Sequence, residues 1–155
     1  MSDPSGTPSF PPPADEHPLR GRVLDVLIDD GFTPTLDDDG DVAFVTSEQK
    51  LFVRCVDGEP ALMRVFGQWR ITSPAAQEEV VWLRAASVVS ATHNLAKVSV
   101  HRGILVVAVD TVVTDGAPLE VLFRTSVSAV LAAVAGWHRE VEGAAGGAGT
   151  PKPSG

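Results

Sequence analysis

The run I-L-V-V-A-V, Ile104 to Val109, sets the tightest limit on what this chain can become. Side chains alternate between the faces of a strand, and here Ile104, Val106 and Ala108 on one side are as apolar as Leu105, Val107 and Val109 on the other. Such a strand has to be covered on both sides, which places it inside a sheet. An R-G turn joins it to Lys97–His101, so Lys97–His101 and Ile104–Val113 read as a hairpin. Three more short strands, Val42 to Thr46, Lys50 to Val56 and Ala61 to Phe66, are punctuated by S-E-Q and D-G-E-P and read as an antiparallel meander.

Helical spacing fills the remainder. Pro18 suits an early helix position, Leu19, Val23, Val26 and Leu27 share a face, and Gly31 ends the helix with Phe32 placed to fold back on Leu27. Ser73 as N-cap, Pro74 at the first helical position, and Glu78 and Glu79 in the early turns start a second helix that runs to about Thr92. Pro118 opens a third, with Leu119, Leu122, Phe123, Val127, Val130, Val134, Trp137 and Val141 at helical spacing down to Glu142. The order α-β-β-β-α-β-β-α describes an α+β fold, an antiparallel sheet of a three-strand meander plus a hairpin, with three helices. One domain is expected over residues 16–142, between a proline-rich tail (1–15) and a Gly/Ala/Pro tail (143–155), both disordered.

The stretch T-L-D-D-D-G-D-V-A-F-V poses a choice between a calcium loop and a turn. Aligning Gly40 to the sixth position of an EF-hand loop puts Thr35 first and Thr46 twelfth, so both the opening aspartate and the closing glutamate are missing. The reading is therefore a hairpin turn, with Gly40 at positive φ and a strand after it. No metal is expected.

Charge narrows the function classes. Twelve basic against twenty acidic side chains give a net charge of −8, which repels phosphate backbones and anionic membrane surfaces, so no nucleic acid and no membrane partner is expected. Cys55 is the only cysteine, which suits a reducing compartment, and the start of the chain lacks a secretory pattern; the expectation is cytoplasmic. The longest helical apolar segment, Val127 to Trp137, is too short for a bilayer span of roughly 17 to 25 residues.

Catalytic patterns are missing. There is no G-x-S-x-G elbow, P-loop or dinucleotide glycine pattern, and His17, His93, His101 and His138 lack a second ligand at zinc spacing. His93 in A-T-H-N-L reads as a helix C-terminal residue rather than a base, and Cys55 reads as a small hydrophobe beside Leu51 and Val53. The chain is expected to be no enzyme and to need no cofactor.

The strands offer a surface instead. Lys50, Phe52 and Arg54 lie opposite Leu51, Val53 and Cys55, and Leu62, Arg64 and Phe66 lie opposite Met63 and Val65. With Phe44 and Trp69 added, the expected partner-binding set is Phe44, Phe52, Arg54, Arg64, Phe66 and Trp69, rings and guanidiniums suited to an apolar peptide with acidic or carbonyl groups. On the second helix Val81, Trp82, Ala85, Val88 and Val89 spread over a wider arc than one sheet face needs, and form the expected homodimer interface.

The order of elements resembles the type III secretion chaperone fold, and in particular the bacterial YbjN family. The resemblance rests on V-L-D-V-L-I-D-D-G-F, D-D-D-G-D-V-A-F-V, F-G-Q-W-R-I, N-L-A-K-V-S-V-H-R-G-I-L-V-V-A-V-D-T and the long last helix, from about Leu19 to Val141. It implies a small, acidic, non-enzymatic cytosolic protein, often dimeric, that holds apolar segments of a client chain in a chaperone-like or regulatory role. Two other readings stand beside it: a small-molecule sensor or enzyme with a pocket between sheet and helices using His93, His101 or Asp110, and an acidic partner that neutralises a basic protein.

Overall fold

The computed structural model describes residues 17–72 and 79–147. In chain order the elements are α1 (Pro18–Asp29), β1 (Thr35–Leu36), β2 (Val42–Thr46), β3 (Gln49–Val56), β4 (Ala61–Arg70), α2 (Glu79–Thr92), β5 (Lys97–His101), β6 (Ile104–Val113) and α3 (Leu119–Gly147). The strands form one six-stranded antiparallel sheet in the order β1-β2-β3-β4-β6-β5. The α+β class and the element order hold, with β1 added. The expected helix start at Ser73 to Glu78 and the residues 1–16 and 148–155 of the tails lie outside the described residues.

The chain divides into two compact units. One comprises residues up to Val65 together with Asp110–Thr125, the other Phe66–Val109 together with residues from Ser126 onward.

In the first unit, α1 starts without help from its own N-cap, because His17 makes no side-chain cap. Asp57, from the turn after β3, takes over: its Oδ1 accepts the Leu19 N–H at 3.3 Å, satisfying one of the amides a helix start leaves open. The other end closes as its sequence requires. Gly31 has φ 88°, its N–H donates to Ile28, and the Phe32 N–H reaches back to Leu27 at 2.9 Å, the paired bonds of a Schellman cap. The D-D-D-G-D stretch is the predicted hairpin turn: Thr35 pairs with Ala43 and Leu36 with Val42 around it, with Gly40 at φ 80°. Val23, Leu24, Leu27, Leu51, Val53, Met63, Val65 and Phe123 are buried as the core.

In the second unit, Trp82, Ala85, Ala86 and Val89 of α2 are buried with Leu105, Val107, Val130, Ala133 and Trp137. The Trp137 indole N–H donates to the Trp82 carbonyl at 3.1 Å, so a large ring is buried without an orphan donor. Arg102 and Gly103, at φ 50° and 74°, make the two-residue turn between β5 and β6. As the last strand in the sheet order, β5 is an edge, which exposes backbone groups to wrong partners. Ser90 blunts it: its hydroxyl accepts the Val98 N–H at 3.1 Å and donates to the Val98 carbonyl at 3.3 Å.

Helix α3 runs past Glu142 to Gly147, beyond the expected start of the tail at 143; Ala144 and Ala145 favour this extension, while the glycines at 143, 146 and 147 weaken it. By length and composition alone α3 is long and apolar enough to cross a membrane, unlike the shorter 127–137 segment read from the sequence. Its apolar residues have a more immediate use: Leu119, Phe123, Val130, Ala133, Val134 and Trp137 are all buried within the protein.

Candidate functional site

The site is built by register. Ser47 and Glu48, both at positive φ, form the two-residue turn between β2 and β3 and fix Thr46 opposite Gln49, Phe44 opposite Leu51 and Val42 opposite Val53. One step further places Asp41 against Arg54 on the other face of the sheet. There the pair is bidentate, Arg54 Nε to Asp41 Oδ1 at 3.0 Å and Nη2 to Oδ2 at 2.8 Å. Arg64 of β4 does the same with Asp110 of β6, at 2.6 and 3.0 Å. Each guanidinium is held above its ordinary pKa, first by the hydrogen bonds it donates to its aspartate. The two arginines lie close enough for Arg54 to oppose that rise at Arg64.

Around these pairs the same face carries apolar side chains in solvent. Val56, Leu62 and Val112 are 49%, 42% and 51% exposed, and Val45 is more exposed still. Phe52 is half-buried, with Lys50 Nζ 5.6 Å from its ring centre. The result is an open sheet face of aliphatic groups threaded by internally neutralised charge.

The structure redistributes the expected partner-binding set. Phe52, Arg54 and Arg64 are on the open face. Phe44 is not: paired with Leu51, it is buried in the core, edge-on to Phe32 at 5.5 Å and tilted against Phe123 at 5.6 Å. Phe66 is buried, so it offers no ring to a partner. Trp69 alternates with Met63 and Val65 rather than with Arg64, and its indole folds over Gly67, where a Cβ would lie 2.2 Å from the ring. The expected dimer set is corrected similarly. Trp82, Ala85 and Val89 are buried inside their own unit, Val81 is half-buried, and only Val88 of the five is exposed, alongside Val80 and Leu83. The width of the apolar arc on α2 is therefore partly core and partly surface.

Residues missed by sequence reading are Asp41, Asp110 as an arginine partner, Val56 and Val112; Leu62 was placed on this face but not counted in the binding set. The signal for Asp41 was present, since a two-residue turn at Ser47-Glu48 fixes what faces Arg54; nothing local announces Asp110.

Among the described residues, the acidic turn is where a metal ion would be sought. Carboxylate oxygens of Asp37, Asp39 and Asp41 lie within 4.8 Å of one another. Both Asp41 oxygens are engaged by Arg54, Asp37 Oδ1 accepts the N–H groups of Asp39 and Asp41 at 2.9 Å, and Arg20 donates to the Gly40 carbonyl at 3.3 Å. The cation for this cluster is a guanidinium. Cys55 is far from a reactive thiolate, because burial pushes its thiol up to about 12. The His93 ring lies against Gly136 in the second unit, and neither His93, His101 nor Asp110 lines any of the three cavities described.

The fold has a solved counterpart. The fold is similar to that of YbjN. The crystal structure of YbjN from E. coli, a candidate transcription regulator, superposes with a TM-score of 0.57 over 74% of this chain and 87% of YbjN, at 11% sequence identity. The likeness to YbjN is one of fold. No protein-family model matches the sequence, and no curated protein matches it.

Proposed function

We propose that the protein is a non-enzymatic binding module that takes an apolar segment of a partner protein on the open sheet face of its first unit, in a chaperone-like or regulatory role. The observation that carries this reading is the exposure of Val56, Leu62 and Val112 on strands whose opposite face holds the buried Leu51, Val53, Met63, Val65 and Val113. Exposed aliphatic groups gathered on one face favour a partner. The pairing of Arg54 with Asp41 and Arg64 with Asp110 removes unpaired charge that would make covering the face costly. The YbjN fold supports the regulatory side of the reading, and the net charge of −8 favours a protein over a nucleic acid as partner. A reducing, cytoplasmic setting fits the single buried-leaning thiol.

The test is partner recovery from cells that make the protein, repeated with Leu62→Glu and Val112→Glu. The reading expects recovery to fall with either variant while thermal stability holds; unchanged recovery contradicts it. Self-association is a second reading, favoured by the exposed Val80, Leu83 and Val88 on α2. Sedimentation at high micromolar concentration should then show a dimer that Leu83→Glu dissociates, and a stable wild-type monomer rejects it.

A further inference from the structure

A different site lies in the second unit. All three tryptophans of the chain, Trp69, Trp82 and Trp137, line one cavity of about 280 Å³. Its walls are otherwise mainly aliphatic, and its ionisable lining groups are Arg70 and His138; no aspartate or glutamate lines it among the described residues. No described carboxylate pairs with Arg70. In a chain with twenty acidic side chains against twelve basic ones, this concave surface is locally inverted in charge.

We propose that this cavity binds a small organic anion, a carboxylate carried on a single aromatic or branched apolar body. The walls are set in advance. Glycine at position 67 lets the Trp69 indole lie on its own strand, and the Trp137 N–H is already engaged by the Trp82 carbonyl, so that ring presents carbon to the cavity. The volume lies just below the ~300–1,000 Å³ usual for ligand pockets, which suits one ring rather than a nucleotide. The guanidinium of Arg70 supplies the fork that a planar carboxylate fits, and the exposed His138 imidazole, also in the lining, can donate as well. Indole faces also accept a cation, but Arg70 in the lining repels one.

The experiment follows the three indole N–H signals of the full chain by NMR during titration with 3-phenylpropionate. Saturable shifts at Trp69 and Trp137 are expected. Loss of one charge-assisted pair predicts that 3-phenylpropionamide and phenethylamine bind the wild type weaker by about tenfold or more, as does 3-phenylpropionate to Arg70→Met. Arg70→Lys should recover part of that loss. Absence of a saturable shift overturns the proposal, as do equal affinities for acid and amide. A short peptide ending in phenylalanine that binds more tightly than the free acid overturns it in favour of a chain terminus. The ligand panel on the wild type decides the matter even if Arg70→Met is unstable.

Discussion

The two faces of the sheet in the first unit are made by the same strands, yet they have opposite fates. On one, Leu51, Val53, Met63 and Val65 are each 0% exposed. On the other, one residue along each strand, Arg54 and Arg64 are tied to Asp41 and Asp110, while Val56, Leu62 and Val112 stand in solvent. The difference teaches what the charges are for. A strand can afford exposed aliphatic groups when the polar groups between them are fixed in register, because the paired arginines pin the strands and interrupt any greasy run that would drive unspecific pairing.

The sharpest way to break this comparison is to truncate neighbours on opposite faces. Leu51→Ala should cost about 2–5 kcal/mol in urea unfolding, whereas Leu62→Ala should stay within about 0.5 kcal/mol. Similar losses would mean that the open face is packed. The two ion pairs come next. The Asp41 side chain is 6% exposed and that of Asp110 is 30%. Arg54→Met, which strands a buried carboxylate, should therefore lose about 1–3 kcal/mol, and Arg64→Met, screened by solvent, less than about 1 kcal/mol. Reversal of that order would deny the difference in burial its role.

The turn that sets both faces gives a smaller effect of opposite sign. Glu48 holds φ 63° at the price of steric crowding, so Glu48→Gly should stabilise by up to about 1 kcal/mol, less the extra freedom it gives the unfolded chain. A marked destabilisation would point to a missed contact of the Glu48 side chain. The smallest effect lies in the helices. Hydrogen bonds from Arg124 hold the Asp30 carboxyl below its ordinary value of 3.8. A lowered folded pKa means that the pair contributes above 3.8 and is lost as pH falls through the depressed value. Asp30→Asn should flatten the acid limb of a stability–pH curve slightly; an unchanged limb would show that solvent has already screened the pair.

Much of the fold was legible because local signals agreed with it. Pro18, Gly31, the R-G turn and the spacing in α3 each act through their own backbone or immediate neighbours, and the elements they delimit are where the pattern puts them. Strand β4 extends past Phe66 to Arg70 because Gly67, which weakens a strand pattern when read alone, is needed for the Trp69 ring to lie down on it. Faces were harder than elements. In V-A-F-V every position is apolar, so alternation cannot say which side Phe44 takes; the register across Ser47-Glu48 decides, and it pairs Phe44 with Leu51. Trp82 belongs to an arc wider than one interface, and only the packing partner, the indole of Trp137, distinguishes core from surface. The arginines were correctly assigned to the open face, but their aspartates come from other strands, beyond the reach of a local pattern.

The central claim is that the open face of the first unit receives a partner. Photo-crosslinking residues placed singly at Leu62 and Val112, with Leu95 and Ile28 as exposed apolar controls elsewhere, test it most directly in cells that make the protein. Discrete adducts with another polypeptide from Leu62 and Val112, and none from Ile28, are predicted. Adducts of equal yield from all four positions, or none from Leu62 and Val112, would contradict the account.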